Sequence, residues 1–275
     1  MKKASSRASG AARRTKAAWV GRSVSSFRLS DIEALIADEI PYIHIPRYFS
    51  TDWCAEIVRR FLAGPTEDHD YGVAKYRTLG MSLVGFIQSR TPMASYFGRA
   101  AELMKALRDV YRGGDDPYLN LRREISAGTG WKYFDVQEKG RSYASDIIGA
   151  IPPDYGLIPH CDSPWAFPGM AVSGFPCLLS WNIYLSTSDQ GGKLLIYRRC
   201  PTKEEEAARL KGNDSASGFL GEVEKAEFQP GRGDLILHNP AFYHEVQISK
   251  GASQRITAHS WISADPARKV FSFWH

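Results

Sequence analysis

No uninterrupted apolar run in this sequence approaches the roughly 20 residues that span a bilayer, and charged residues recur along its whole length. That excludes a helical membrane protein, and the chain is expected to be soluble. Cysteine is scarce. Cys54, Cys161, Cys177 and Cys200 show neither CxxC spacing nor the density of a disulfide scaffold, so a reducing cytoplasm is the expected setting. Acidic residues are missing from the first thirty positions, which hold eight Lys and Arg: Lys2, Lys3, Arg7, Arg13, Arg14, Lys16, Arg22 and Arg28. The remaining body therefore has 27 of the 35 basic residues against all 30 acidic ones, and the net charge of +5 gives no ground for expecting a nucleic-acid partner.

What is present fits one catalytic domain. A chain of 275 residues, 43% hydrophobic, can bury one sizeable core. Residues 1–29, rich in Ser, Ala and Arg, read as a disordered basic tail, a composition that a transit peptide or a polyanion-contacting extension shares in part. Residues 30–275 read as the domain, with helical support over about 30–140 and a β-rich core over about 141–275.

In the first part, Ser30 before Asp31-Ile32-Glu33-Ala34-Leu35-Ile36 reads as the N-cap of a helix running to about Asp38. Tyr42 to Pro46 reads as a short strand in which His44 is structural. Ser50 or Thr51 caps a second helix through Leu62, and Ser95 to Arg112 repeats apolar residues at helical intervals. Beyond Ser142 the pattern changes to short β-rich runs divided by Gly, Pro, Asn and Asp, the mark of an antiparallel barrel or double sheet. Strands are expected over 144–151, 156–160, 177–185, 193–199, 226–229, 234–237, 245–248 and 255–262. A charged helix over 202–210 interrupts them, and Gly191 and Gly192 close a hairpin that needs positive φ.

The chemistry is concentrated in the β-rich half. Leu157-Ile158-Pro159-His160-Cys161-Asp162 sets an imidazole and a carboxylate at i and i+2 at a strand end, so both face one way while Cys161 turns to the other side. Mixed nitrogen and oxygen donors suit Fe(II), and a third ligand from a distant strand would complete one face of an octahedron. His244, in Ala241-Phe242-Tyr243-His244-Glu245-Val246, is the preferred third ligand, expected on a strand that faces the first pair. His238 is the alternative, disfavoured because Asn239-Pro240 turns the chain there. Eleven residues after His244 comes Arg255, whose planar guanidinium matches a carboxylate in bidentate fashion. An oxo acid with a distal carboxylate satisfies it, with Thr257, Asn182 and Tyr184 as further donors to that cosubstrate. Trp165, Phe167 and Asp146 are candidate substrate contacts; a local hydrophobic lid is an equal reading of the two aromatics, and a surface carboxylate is the commoner reading of Asp146.

With these residues in place the sequence resembles the Fe(II)/2-oxoglutarate-dependent oxygenase superfamily, whose pattern is HxD, a distal His and an Arg about ten residues later. The resemblance covers roughly Ser142 to His275. It is reinforced by Gly191-Gly192-Lys193-Leu194, by Pro230-Gly231-Arg232-Gly233-Asp234-Leu235 and by the closing Lys269–Trp274 segment. Among its branches the chain looks most like those of prolyl-hydroxylase-type enzymes and carrier-free natural-product halogenases. The resemblance implies a double-stranded β-helix, a distorted cupin-like jelly roll, with Fe(II), 2-oxoglutarate and O2 at its open end and a small molecule as substrate. Halogenases of the group have Gly or Ala where this sequence has Asp162, so the resemblance implies hydroxylation of a C–H bond, with desaturation, ring formation and peptidyl hydroxylation as variants. A cupin of other activity, binding manganese, nickel or zinc, fits less well, because cupins favour HxH and a nearby Glu.

Overall fold

The computed structural model describes residues 18–70, 75–83, 86, 93–162, 167–202, 204–205 and 220–275. Its frame is two facing antiparallel β layers. The larger sheet runs in the spatial order Arg22–Ser23, Tyr42–Ile45, Leu235–His238, Cys177–Ser186, Arg255–Asp265, Ile147–Ile151, Lys75–Gly80 and Glu67–Asp70. The smaller sheet has four strands in the order Lys225–Phe228, Leu194–Tyr197, His244–Val246 and Leu157–His160. From Ile147–Ile151 to Arg255–Asp265 the chain passes back and forth between the layers, with Leu194–Tyr197 and Lys225–Phe228 as consecutive strands in the smaller one, which is the winding of a jelly roll.

All eight strands expected from the alternating patterns are present, with ends shifted by a few residues. The two longest lie side by side at the centre of the larger sheet, where Ser180 pairs with Trp261 and Tyr184 with Thr257. Helix Thr51–Ala63 packs on Cys177–Ser186 and helix Met93–Tyr111 on Lys75–Gly80, and the two bury Cys54, Ile57, Phe61, Leu103 and Leu107 in the main apolar cluster. Tyr184, Leu194, Ile196, Phe228, Ile236, Phe242 and Trp19 form a second buried cluster.

Several expectations change. The fold begins before residue 29: Trp19 and Phe27 are buried, and Arg22 and Ser23 pair in parallel with Ile43 and His44. Apolar anchors inside a basic segment are what a charge-based boundary overlooks. Ser30 is not an N-cap, because the first helix spans Leu29–Ile36 and Arg28 stands at its start without a side-chain cap. Ser50 does cap the second helix, accepting from the Trp53 N–H at 3.2 Å. A fourth helix, Pro117–Thr129, was not expected although its signals are regular: Asp116 caps it, Pro117 opens it and Gly130 ends it at φ 74°. The charged helix expected over 202–210 falls mostly outside the described residues. Gly191 and Gly192 have φ of 70° and 65°, as the hairpin requires. Among the described residues no helix is long and apolar enough to cross a membrane, and all four cysteines are free thiols.

Candidate active site

His160 ends the Leu157–His160 strand and His244 begins the His244–Val246 strand, and the two are direct cross-strand partners in the smaller sheet. The candidate third ligand therefore lies on a different strand, as expected, and that strand pairs directly with the one that carries His160. Asp162 follows two residues beyond His160, and its backbone N–H donates to Pro240 O at 2.8 Å, which ties the HxD segment to the turn before His244. That turn is set by Asn239, whose side-chain oxygen accepts from Ala241 N–H at 3.0 Å and whose amide reaches Asp38 at 3.1 Å.

One ligand atom each from His160, Asp162 and His244 lies within 4.8 Å of the others. The imidazole rings are 4.3 Å apart between centroids. Each histidine donates its Nδ1–H to a carbonyl two residues back, His160 to Ile158 O at 2.8 Å and His244 to Phe242 O at 2.9 Å. These bonds select the tautomer that leaves Nε2 with a free lone pair on both rings. On the carboxylate, Trp261 Nε1 donates to Asp162 Oδ2 at 3.1 Å. Burial, and then the neighbouring His160, pushes His244 down to about 4, so it is neutral and able to coordinate at physiological pH. Two imidazole nitrogens, one carboxylate oxygen and an open side make a donor set that fits Fe(II).

Arg255 opens the longest strand of the larger sheet and is only 4% exposed. Its polar contact is a long hydrogen bond from the guanidinium to Tyr184 Oη at 3.4 Å, with the Tyr184 ring 4.9 Å away, and its Nε has no partner. Among the described residues no carboxylate pairs with it. A buried guanidinium in that condition is stable only if an anion joins it, so the pocket fits the distal carboxylate of an oxo acid.

Both halves open into one cavity of about 780 Å³, whose walls include His160, Asp162, His244, Arg255, Thr257 and Asn182. Tyr184 does not line it, being wholly buried behind Arg255. Asp146, read as a substrate contact or a surface carboxylate, is neither. It is fully buried and paired with Arg108, with Ser145 Oγ donating to it at 2.6 Å, and so clamps the Met93–Tyr111 helix to the sheet. Phe167 belongs to the main apolar cluster and meets Trp274 edge-on at 5.7 Å. Trp165 lies outside the described residues. Cys161 packs with Leu195, Tyr197 and Tyr243 on the side away from the ligands, as the strand alternation predicts.

Tyr76, His259, Trp261 and His275 line the pocket and escaped the sequence reading as site residues. His259 Nε2 is 3.1 Å from Tyr76 Oη, and that phenol crosses the sheet where Gly149 has no side chain to block it. The rings of His275 and Trp261 meet at a tilt with centroids 4.7 Å apart. The spacing Arg255, Thr257, His259, Trp261 is a signal that could have found His259 and Trp261, since alternate residues of one strand share a face.

Solved structures share this architecture. An N-substituted L-amino acid dioxygenase from Burkholderia ambifaria AMMD is 17% identical, over 90% of this chain and 92% of that one, at TM-score 0.54. The same kind of enzyme in complex with alpha-KG, from the same organism, gives 17% identity, 90% of both chains and 0.55. An oxidoreductase of the 2OG-Fe(II) oxygenase family from Burkholderia pseudomallei gives 15%, 89% and 94%, and 0.50. Similarity at this level establishes the fold. None of the curated proteins matches the chain.

Fold and family together make this protein an enzyme of the iron- and 2-oxoglutarate-dependent oxygenase class. The family described as carrier-protein-independent halogenase WelO5 matches residues 22–275, and the chain belongs to that family.

Proposed function

We propose that the protein hydroxylates an unactivated C–H bond of a small molecule, using Fe(II), 2-oxoglutarate and O2 and releasing succinate and CO2. The observation that supports this most strongly is the pairing of two preset features in one cavity. His160, Asp162 and His244 present free donor atoms within 4.8 Å of one another, and Arg255 is buried without a counter-anion. When bound, the iron and the 2-oxo acid supply, with dioxygen, the oxidising power that cleaves a C–H bond.

The chain's own residues do the positioning. His160, Asp162 and His244 hold the metal through one side only, and Trp261 donates to Asp162 Oδ2, the oxygen 3.9 Å from His244 Nε2, which fixes the carboxylate beside the imidazoles. Arg255 grips the far carboxylate of the cosubstrate, with Tyr184 steadying the guanidinium from behind and Thr257 and Asn182 on the adjoining wall. The helical part of about 30–140 and the jelly-roll part act as one catalytic domain, since Ser95 and Arg99 of the Met93–Tyr111 helix reach the cavity formed by the sheets. A cavity roofed in this way favours a small molecule over a peptide.

The family's description names halogenation, and Asp162 argues for hydroxylation in this member. A carboxylate ligand occupies the position that a halide would need, and its geometry beside His160 and His244 is intact. The test is substrate-stimulated succinate release over a panel of amino acids and natural-product intermediates, with chloride present and His160→Ala as the blank. The expected product gains oxygen and no chlorine. A chlorinated product would overturn the hydroxylase assignment, and succinate release that survives in His160→Ala would overturn the metal assignment.

A further inference from the structure

His238 lies outside the candidate metal-ligand set. It ends the Leu235–His238 strand, is 2% exposed, and lines the same cavity as His160, Asp162, His244 and Arg255. Among the described residues neither of its ring nitrogens has a hydrogen-bond partner. A buried imidazole with both nitrogens unsatisfied is costly, because water's hydrogen bonds are lost and nothing replaces them. Phenylalanine would fill the space without that penalty.

The sheet register says which part of a ligand would meet it. His238 pairs with Ser180, and Ser180 pairs on its other side with Trp261, the residue that reaches Asp162. The His238 ring packs edge-on against His244 at 5.1 Å. Arg255 lies at the far end of its strand, beside the Tyr184–Thr257 pair. His238 thus stands in the row of the metal, several residues above the guanidinium. A neutral imidazole presents one N–H donor.

Resting on the oxygenase reading above, we propose that His238 binds the cosubstrate, donating a ring N–H to the carboxylate at the keto-acid end of 2-oxoglutarate while Arg255 holds the other end. The site then reads both ends of the oxo acid with side chains, and the orphaned imidazole finds its partner only in the loaded enzyme.

Anaerobic titration of 2-oxoglutarate into the Fe(II)-loaded full-length protein tests this, read by the visible charge-transfer absorption of the iron–oxo acid chelate and therefore without turnover. His238→Phe is expected to weaken 2-oxoglutarate binding about tenfold to a hundredfold, the range for a lost hydrogen bond to a charged group, and to move the absorption band. Its Fe(II) affinity is expected to be unchanged, and its apoprotein to melt no lower than the unaltered chain. His238→Gln, which keeps an N–H donor, is expected to recover part of the affinity. Equal loss in both variants would mark a packing role and overturn the proposal. So would unchanged 2-oxoglutarate affinity in His238→Phe, and so would loss of Fe(II), which would make His238 a ligand. Absence of the band in the unaltered protein would instead bring down the oxygenase reading, and the His238 assignment with it.

Discussion

The two sheets of the roll build their halves of the site in opposite ways. The smaller sheet is made of strands three or four residues long, and its ligands are fixed locally, each histidine by a carbonyl two residues behind it. The larger sheet supplies a guanidinium at the start of its eleven-residue strand and an imidazole at the end of a four-residue one, both buried with polar atoms unmatched among the described residues. One half is satisfied before any ligand arrives. The other, on the proposed reading, is completed by the ligand.

The comparison breaks most visibly at the metal. His244→Ala removes one donor of three, and succinate release is expected to fall to background, with Fe(II) lost on gel filtration. Retention of stoichiometric Fe(II) would mean that the smaller sheet does not hold the metal. On the other side, Arg255→Met is expected to raise the KM for 2-oxoglutarate on the order of a hundredfold or more, because two charge-assisted bonds disappear. Its apoprotein should melt at the same temperature or higher, since an unpaired buried charge is gone. A large drop in melting temperature would show that Arg255 is structurally paired and not waiting for an anion.

Trp261 crosses between the halves, reaching from the larger sheet to Asp162. Trp261→Phe is expected to weaken Fe(II) binding about tenfold to a hundredfold, the usual effect of losing a hydrogen bond behind a ligand, and to leave 2-oxoglutarate affinity at saturating iron nearly as it was. An unchanged Fe(II) affinity would remove Trp261 from the site.

The smallest effect is on stability against acid. Burial keeps His259 down at about 4 and His238 and His275 well below their ordinary range. In the unfolded chain these groups take protons near the ordinary histidine value of about 6.5, so between about 6.5 and 4 the unfolded state binds more protons than the folded one. Stability should therefore rise with pH across that window. The melting temperature of the apoprotein is expected to fall by several degrees, order of magnitude, between pH 7 and about 5. A flat profile would mean that these rings are accessible to water.

Sequence reasoning found the smaller sheet's half almost completely, because HxD and the later His–Arg pair are short-range patterns whose meaning survives without coordinates. It placed Arg255 and Thr257 as well, through the alternation of a strand. It missed the larger sheet's remaining contributions for a physical reason. Tyr76 meets His259 only because the strands between them are in one register, and Trp261 meets Asp162 only because its sheet comes up against the end of the other; one strand's sequence contains neither. Asp146 failed in the opposite direction: its partner Arg108 lies on a helix 38 residues earlier, so a buried ion pair looked like a surface carboxylate.

The central claim is that one metal and one oxo acid occupy a single cavity with their ends held by different sheets. A crystal structure of the protein loaded anaerobically with Fe(II) and 2-oxoglutarate tests it most directly. The account predicts iron bound by Nε2 of His160, a carboxylate oxygen of Asp162 and Nε2 of His244, with the cosubstrate's far carboxylate on Arg255. Iron bound by another set of residues, or Arg255 still without a carboxylate, would contradict it.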